Sequence, residues 1–315
     1  MDALDVGLLR AMGIDHWGRQ PKDPDSFRVS RLAKALRTTE VTVRQRIKRL
    51  ETIGLLRGYQ IVPNFRHLGF EATFYCYKFA RDEDADAAVA QLAALEGLSG
   101  TCSMTGSQLY VNVAYRTPAE HQSKLAFLMR LAGDVPFLKY FDLEMPAVER
   151  PLSNLDWRII HAFRGRALRP LDEVANELGV SAKTVKRRFD RMAQEGSFTI
   201  IPKLDMSRAE GMIPLCFNIH LDPEAETNTP AQVLRTLGDR YISALNPAAK
   251  EIGHMSVSLF AASVAEVETL RARVAAVQGI ARVDVGIVRS GSNTLGWLST
   301  EIEKRIRETT PMVAV

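Results

Sequence analysis

A stretch running from Thr38 to Tyr59 recurs, in degenerate form, later in the same chain, and this repetition constrains the fold more than any other feature. Ala33, Leu36, Thr42, Val43, Arg46, Arg49 and Gly54 match Ala175, Leu178, Thr184, Val185, Arg188, Arg191 and Gly196 at one constant offset of 142. Upstream, Leu4-Asp5 matches Leu155-Asp156 at an offset of 151. The first copy therefore carries nine extra residues, placed between Asp15 and Phe27 where Gly18, Pro21 and Pro24 indicate a surface loop. A self-match of this length implies that each copy is one supersecondary unit used twice.

Within the first copy, Val43, Ile47 and Leu50 fall at i, i+4 and i+7 and make one apolar stripe on a helix of about four turns. Arg44, Gln45, Lys48 and Arg49 lie off that stripe. Thr38 or Thr39 supplies the N-cap oxygen, and Gly54 sits where a helix stops on a left-handed residue. A shorter amphipathic helix begins near Ser30 and carries Val29, Leu32, Ala33 and Leu36, so the spacing is that of a helix-turn-helix. Leu4–Met12 supplies the third helix of a small core. Leu55–Val62 follows as a strand bounded by Gly58 and Pro63, the expected place for a wing. In the second copy, Ser181 caps a helix over Lys183–Gln194, and Phe198–Ile201 with Pro202 stands in the wing position.

Charge placement agrees with this reading. The chain has 315 residues and a net charge of +4. Residues 37–57 hold +4 and residues 179–199 hold +3, leaving −3 for everything else. The positive excess thus sits on the two helices expected to read DNA. Thr39, Thr42, Arg44, Gln45, Arg46, Lys48 and Arg49 are the candidate DNA contacts of the first copy. Ser181, Thr184, Lys186, Arg187, Arg188 and Arg191 are those of the second. Arg46, Arg49, Arg188 and Arg191 are expected on phosphates, and Thr42, Arg44 and Gln45 nearer base edges. Lys48 is replaced by Asp190 in the second copy, which predicts weaker phosphate binding there.

Beyond each copy the pattern changes. Phe70–Phe79, Ser99–Met104, Leu109–Tyr115 and Phe137–Glu144 have strand character, with helices over Asp84–Leu95 and Ala119–Ala132. The second half repeats the order with strands near Ile213–Leu221, Ala249–Ile252, Ser256–Ala261 and Ala281–Val288 and helices near Ala231–Tyr241 and Ala265–Val277. Each set reads β-α-β-β-α-β, a ferredoxin-like sandwich with one uncovered sheet face. Phe74 and Tyr110 fall on that face, and mutual cover by the two halves of one chain is expected. A last helix, Leu298–Arg307, has no counterpart in the first half. The expected class is α+β, two winged helix-turn-helix domains (1–63 and 152–204) alternating with two ferredoxin-like sensor domains (64–148 and 205–290), then a C-terminal helix and tail (291–315).

The stretches LAKALRTTEVTVRQRIKRLETIGLLRGYQIVPNFRHLGF (Leu32–Phe70) and LDEVANELGVSAKTVKRRFDRMAQEG (Leu171–Gly196) resemble the leucine-responsive and asparagine-synthase regulator (Lrp/AsnC) family, the first the more specifically. The resemblance implies a transcription regulator that binds double-stranded DNA, self-associates through its sensor domains within or between chains, and often responds to an amino acid or other small effector. Family sensors commonly carry Gly followed closely by Asp between the second and third sensor strands. Here Gly106 (TGSQLY) and Gly253 (EIGHMS) keep the glycine and lack the acid; both are candidate effector positions. Haem-precursor (sirohaem) decarboxylases resemble the same family but typically carry a His-Asn-Tyr run, absent here, near the second sensor strand, where His254 is the nearby histidine. An interaction module without DNA binding is the other alternative.

Catalytic motifs such as GxGxxG, a P-loop, GxSxG or HExxH are lacking, and the expectation is of no enzyme, no cofactor and no metal. Cys76, Cys102 and Cys216 are dispersed, without a CxxC pair, so neither a disulfide framework nor a zinc site is indicated. No apolar run approaches the ~20 residues of a membrane span, no signal peptide is visible, and a cytoplasmic location is expected.

Overall fold

The computed structural model describes residues 1–13, 24–132, 139–245, 253–292 and 295–310. Helix α1 (Ala3–Met12) opens on a capping box between Asp2 and Asp5 and buries Val6, Leu8, Leu9 and Met12 completely. With α2 (Val29–Ala35) and α3 (Glu40–Thr52) it forms the first head. Residues 15–23 of the expected loop lie outside the described set. Phe27, placed at the end of that loop, is not a surface residue: it is 6% exposed and meets the Tyr59 ring edge-on at 5.0 Å.

After β1 (Leu56–Pro63), the first sensor unit comprises β2 (Glu71–Lys78), α4 (Asp82–Leu92), β3 (Leu98–Met104), β4 (Gln108–Tyr115), α5 (Pro118–Ala132) and β5 (Lys139–Asp142). The second head is α6 (Asn154–Phe163), α7 (Leu171–Leu178) and α8 (Ala182–Gln194), followed by β6 (Phe198–Leu204). The second sensor unit comprises β7 (Ile213–Leu221), α9 (Thr229–Leu237), β8 (Tyr241–Leu245), β9 (His254–Ala261), α10 (Val264–Ala275) and β10 (Ile280–Ser292). The strand expected at Ala249–Ile252 falls outside the described residues. The strand that precedes β9 is β8, which begins at Tyr241 because α9 ends at Leu237 ahead of Gly238, whose φ is +60°.

The eight sensor strands form one sheet in the order β5-β2-β4-β3-β10-β7-β9-β8. Each group of four has the ferredoxin-like order, and β10 joins them. Residues 280–287 of β10 pair with β7, and residues 288–292 continue onto β3, where Gly291 lies opposite Cys102. The alternation of side chains sends Tyr75, Tyr77, Val111 and Val113 into the first helix-covered core and Phe217, Ile219, Val257 and Leu259 into the second. The opposite faces, with Phe74, Cys76, Met104, Tyr110, Cys216 and Phe260, share a third core with the heads.

The strands expected as wings do something else. β1 and β6 pair antiparallel with each other, with Gln60 opposite Ile201 and Pro63 opposite Phe198. Ile61, Val62, Phe198, Ile200 and Ile201 are nearly fully buried there, and a buried strand left alone would carry unpaired peptide groups. Pairing satisfies both strands and ties the heads to a common ribbon. α11 (Trp297–Glu308) then packs on α6, with Trp297 edge-on to Phe65 and Phe70 at 5.5 and 5.0 Å, and Asn154 Nδ2 donating to the Ile306 carbonyl at 2.8 Å.

Candidate nucleic-acid interface and the inter-sheet cavity

Helices α3 and α8 begin on the same hydroxyl arrangement. Thr39 Oγ1 accepts from the Thr42 amide at 3.1 Å, and the two hydroxyls lie 2.9 Å apart; Ser181 and Thr184 repeat both distances. Thr39 and Ser181 thus cap the two helices, each satisfying an amide that has no intrahelical partner. The apolar stripe packs inward as expected, with Val43 and Leu50 buried in α3 and Val185, Phe189 and Met192 in α8.

The arginines shared by the two copies are engaged inside the heads. Arg46 reaches Asp2 at 2.5 Å and Asp5 at 3.3 Å, and Arg49 lies 3.9 Å from Asp5. In the second head Arg188 and Arg191 hold Asp156 at 3.0 and 2.8 Å. Asp5 and Asp156 are almost completely buried, which requires such partners. The recurring Leu-Asp pair and the recurring arginines are thus two sides of one internal contact. The guanidinium groups of Arg46 and Arg188, expected on phosphates, turn toward α1 and α6, whereas Arg49 remains about half exposed. Burial works to raise the pKa of Asp156, but hydrogen bonds from Ser153, Arg191 and Arg188 outweigh it and hold the carboxyl below its ordinary value. Asp2 is lowered in the same way: burial opposes, and Arg46 with the amides of Asp5 and Leu4 prevails.

The outer faces differ between heads. On α3, Arg44 pairs with Glu40 one turn away at 2.8 Å, both exposed, while Gln45 and Lys48 are exposed with no ion pair among the described residues. On α8, Lys186 pairs with Asp190 at 2.5 Å, and Arg187 and Lys183 are exposed with no ion pair among the described residues. Asp190 therefore has its own cation. Sequence reasoning passed over the second helical position, where Val41, 63% exposed, stands against Lys183; the constant offset held the signal. The heads also touch. The Ile61 amide donates to the Arg164 carbonyl at 3.1 Å and the Ala167 amide to Tyr59 at 3.2 Å, while Phe27 and Arg28 border a cleft against Lys186, Phe189 and Asp190.

Between the two halves of the eight-stranded sheet and the β1–β6 ribbon lies a cavity of about 210 Å³. Beside it the Tyr110 hydroxyl donates to Asn218 Oδ1 at 2.5 Å and sits 2.7 Å from Ser256 Oγ and 3.1 Å from Cys216 Sγ, while Asn218 Nδ2 donates to Gln108 Oε1 at 2.6 Å. Burial pushes the Cys102 thiol up to about 12 and raises Cys76 and Cys216 as well, so these thiols stay protonated near neutrality. Gly106 and Gly253, the candidate effector positions, occupy turns with φ of +72° and +62°, and neither lines the cavity. His254 is fully buried and meets His220 edge-on at 5.2 Å. Among the described residues no group of three or more His, Cys, Asp or Glu could hold a metal ion, and no helix is long and apolar enough to cross a membrane.

Helix-turn-helix heads set on paired ferredoxin-like sheets define the class of protein. Residues 152–193 match the AsnC-type helix-turn-helix domain, and that segment, rather than the first head, is where the match falls. No curated protein sequence matches the chain. Among solved structures, siroheme decarboxylase NirDL is similar over 98% of both chains at 15% identity with a TM-score of 0.54, as is the same protein in co-complex with an iron-uroporphyrin III analogue. The AsnC of E. coli is 19% identical and covers 48% of this chain and 97% of its own, with a TM-score of 0.29. The full-length architecture is therefore one that also serves an enzyme, which overturns the expectation, drawn from absent motifs, that a chain of this kind is not one. Local motifs say little about a site assembled in space from two sheets.

Proposed function

We propose that the chain is a sequence-specific DNA-binding transcription regulator in which two unlike heads are held by one polypeptide. The observation that carries this reading is the AsnC-type domain over 152–193, whose helix α8 turns Lys183, Lys186 and Arg187 outward, with the same capped geometry repeated at α3. Gln45 is suited to pair bidentately with adenine and Arg187 with guanine, so the two half-sites differ. Lys48, Arg49 and Lys183 are the candidates for phosphates. The β1–β6 ribbon gives the heads a fixed separation, which sets the half-site spacing. Selection of bound duplexes from random DNA at a stated salt concentration tests this: a recovered site with two unequal halves supports it, and recovery of no common sequence overturns it.

A second reading is favoured by one observation, the full-length likeness to siroheme decarboxylase: an enzyme acting on a tetrapyrrole substrate. The described lining of the inter-sheet cavity offers no Arg, Lys or His to the carboxylates such a substrate carries, so these residues do not fit it there. An absorbance titration with iron-uroporphyrin III tests this reading apart from DNA binding. A saturable shift of the porphyrin bands supports it, and an unshifted spectrum counts against it.

A further inference from the structure

The cavity between the sheets is walled by apolar side chains such as Phe65, Phe74 and Met104 and by neutral polar ones, Ser99, Thr101 and Ser258 among them. None of its described lining residues is charged.

We infer that this cavity binds an uncharged, largely apolar molecule the size of a fused two-ring aromatic. Size follows from volume, since an apolar cavity of about 150 Å³ accepts benzene and this one, at about 210 Å³, is larger by roughly one small ring fragment. Charge follows from the walls. A carboxylate or a zwitterionic amino acid entering here would lose its hydration without meeting an opposite charge. The lining also includes Val62 from β1 and Pro202 and Leu204 from β6, the ribbon that spaces the heads. Occupancy therefore shifts the affinity for DNA, a consequence that rests on the regulator reading, whereas the binding itself does not.

The test uses the full-length protein and 2-naphthol, with 2-naphthoate as a probe of the same shape bearing a charge. Calorimetry without DNA is expected to show 1:1 binding of 2-naphthol at micromolar concentrations and at least a hundredfold weaker binding of 2-naphthoate. Gly291→Leu is expected to abolish binding; a Cβ at Gly291 meets nothing closer than 3.5 Å, so this variant fills the cavity while keeping the strand. Circular dichroism establishes that the variant is folded. Equal binding of the two probes, no binding of 2-naphthol, or full binding by folded Gly291→Leu overturns the inference. DNA affinity that 2-naphthol leaves unchanged at saturation overturns the coupling. Absence of any DNA binding would instead be a failure of the regulator reading, with the calorimetry unaffected.

Discussion

Arg191 Nη2 lies 2.8 Å from Oδ2 of Asp156, a carboxylate that is 2% exposed, so the charge at the foot of α8 is held by α6 before any DNA arrives. Arg188 joins the same carboxylate, and Arg46 and Arg49 treat Asp5 likewise. Asp156→Asn is expected to destabilise the second head by about 1–3 kcal/mol, below the cost of breaking a fully buried pair because both arginines keep some solvent. Urea unfolding of the full chain measures this.

The same pair sets a pH dependence. The Asp156 carboxyl is held below its ordinary value in the folded head, so its stabilisation is present above about pH 4, the unfolded value, and is lost as the pH falls through the lower folded one. Asp156→Asn is expected to remove that part of the acid-side loss. Unfolding curves between neutral pH and the acid limit, compared for the two proteins, check it.

Base reading is expected to reside in Gln45 and Arg187. Gln45→Ala should relax preference at one position of one half-site, and Arg187→Ala at one position of the other, each by about 1–3 kcal/mol. Competition binding against single-base variants of the selected site measures this. Uniform weakening across all variants would move these residues to the phosphate class.

Tyr110 ties the two halves of the eight-stranded sheet through Asn218 and Ser256. Tyr110→Phe keeps the ring against Phe74 but removes the donor, with an expected loss of about 1–2 kcal/mol in unfolding free energy and little change in secondary structure. Thermal unfolding followed by calorimetry reports it.

Much of the fold was legible because it rests on local periodicity. The stripe Val43, Ile47, Leu50, the caps Thr39 and Ser181, and the strand over Ile213–Leu221 appear in the structure where the sequence puts them. Contacts that span the chain were not legible. A strand such as Leu56–Pro63 does not reveal whether it forms a wing or pairs with Phe198–Leu204, since both satisfy the same peptide groups. Nor did the recurrence of Arg46 and Arg188 reveal that they pair with the equally recurrent Asp5 and Asp156. The cavity went unseen because Asn112, Gly291 and Pro202 come from distant elements and carry no motif.

The most direct test is the salt dependence of binding to the selected DNA by the full chain and by Lys48→Ala and Arg46→Ala. Lys48 is exposed and unpaired, so its removal should leave stability unchanged and make the slope of log K against log salt shallower by about one. Arg46→Ala should lower stability instead and leave the slope of the folded fraction unaltered. Steep, sequence-selective binding with that division between the two variants is the predicted result. Binding that is independent of salt and sequence, or a Lys48→Ala slope equal to that of the parent chain, would contradict it.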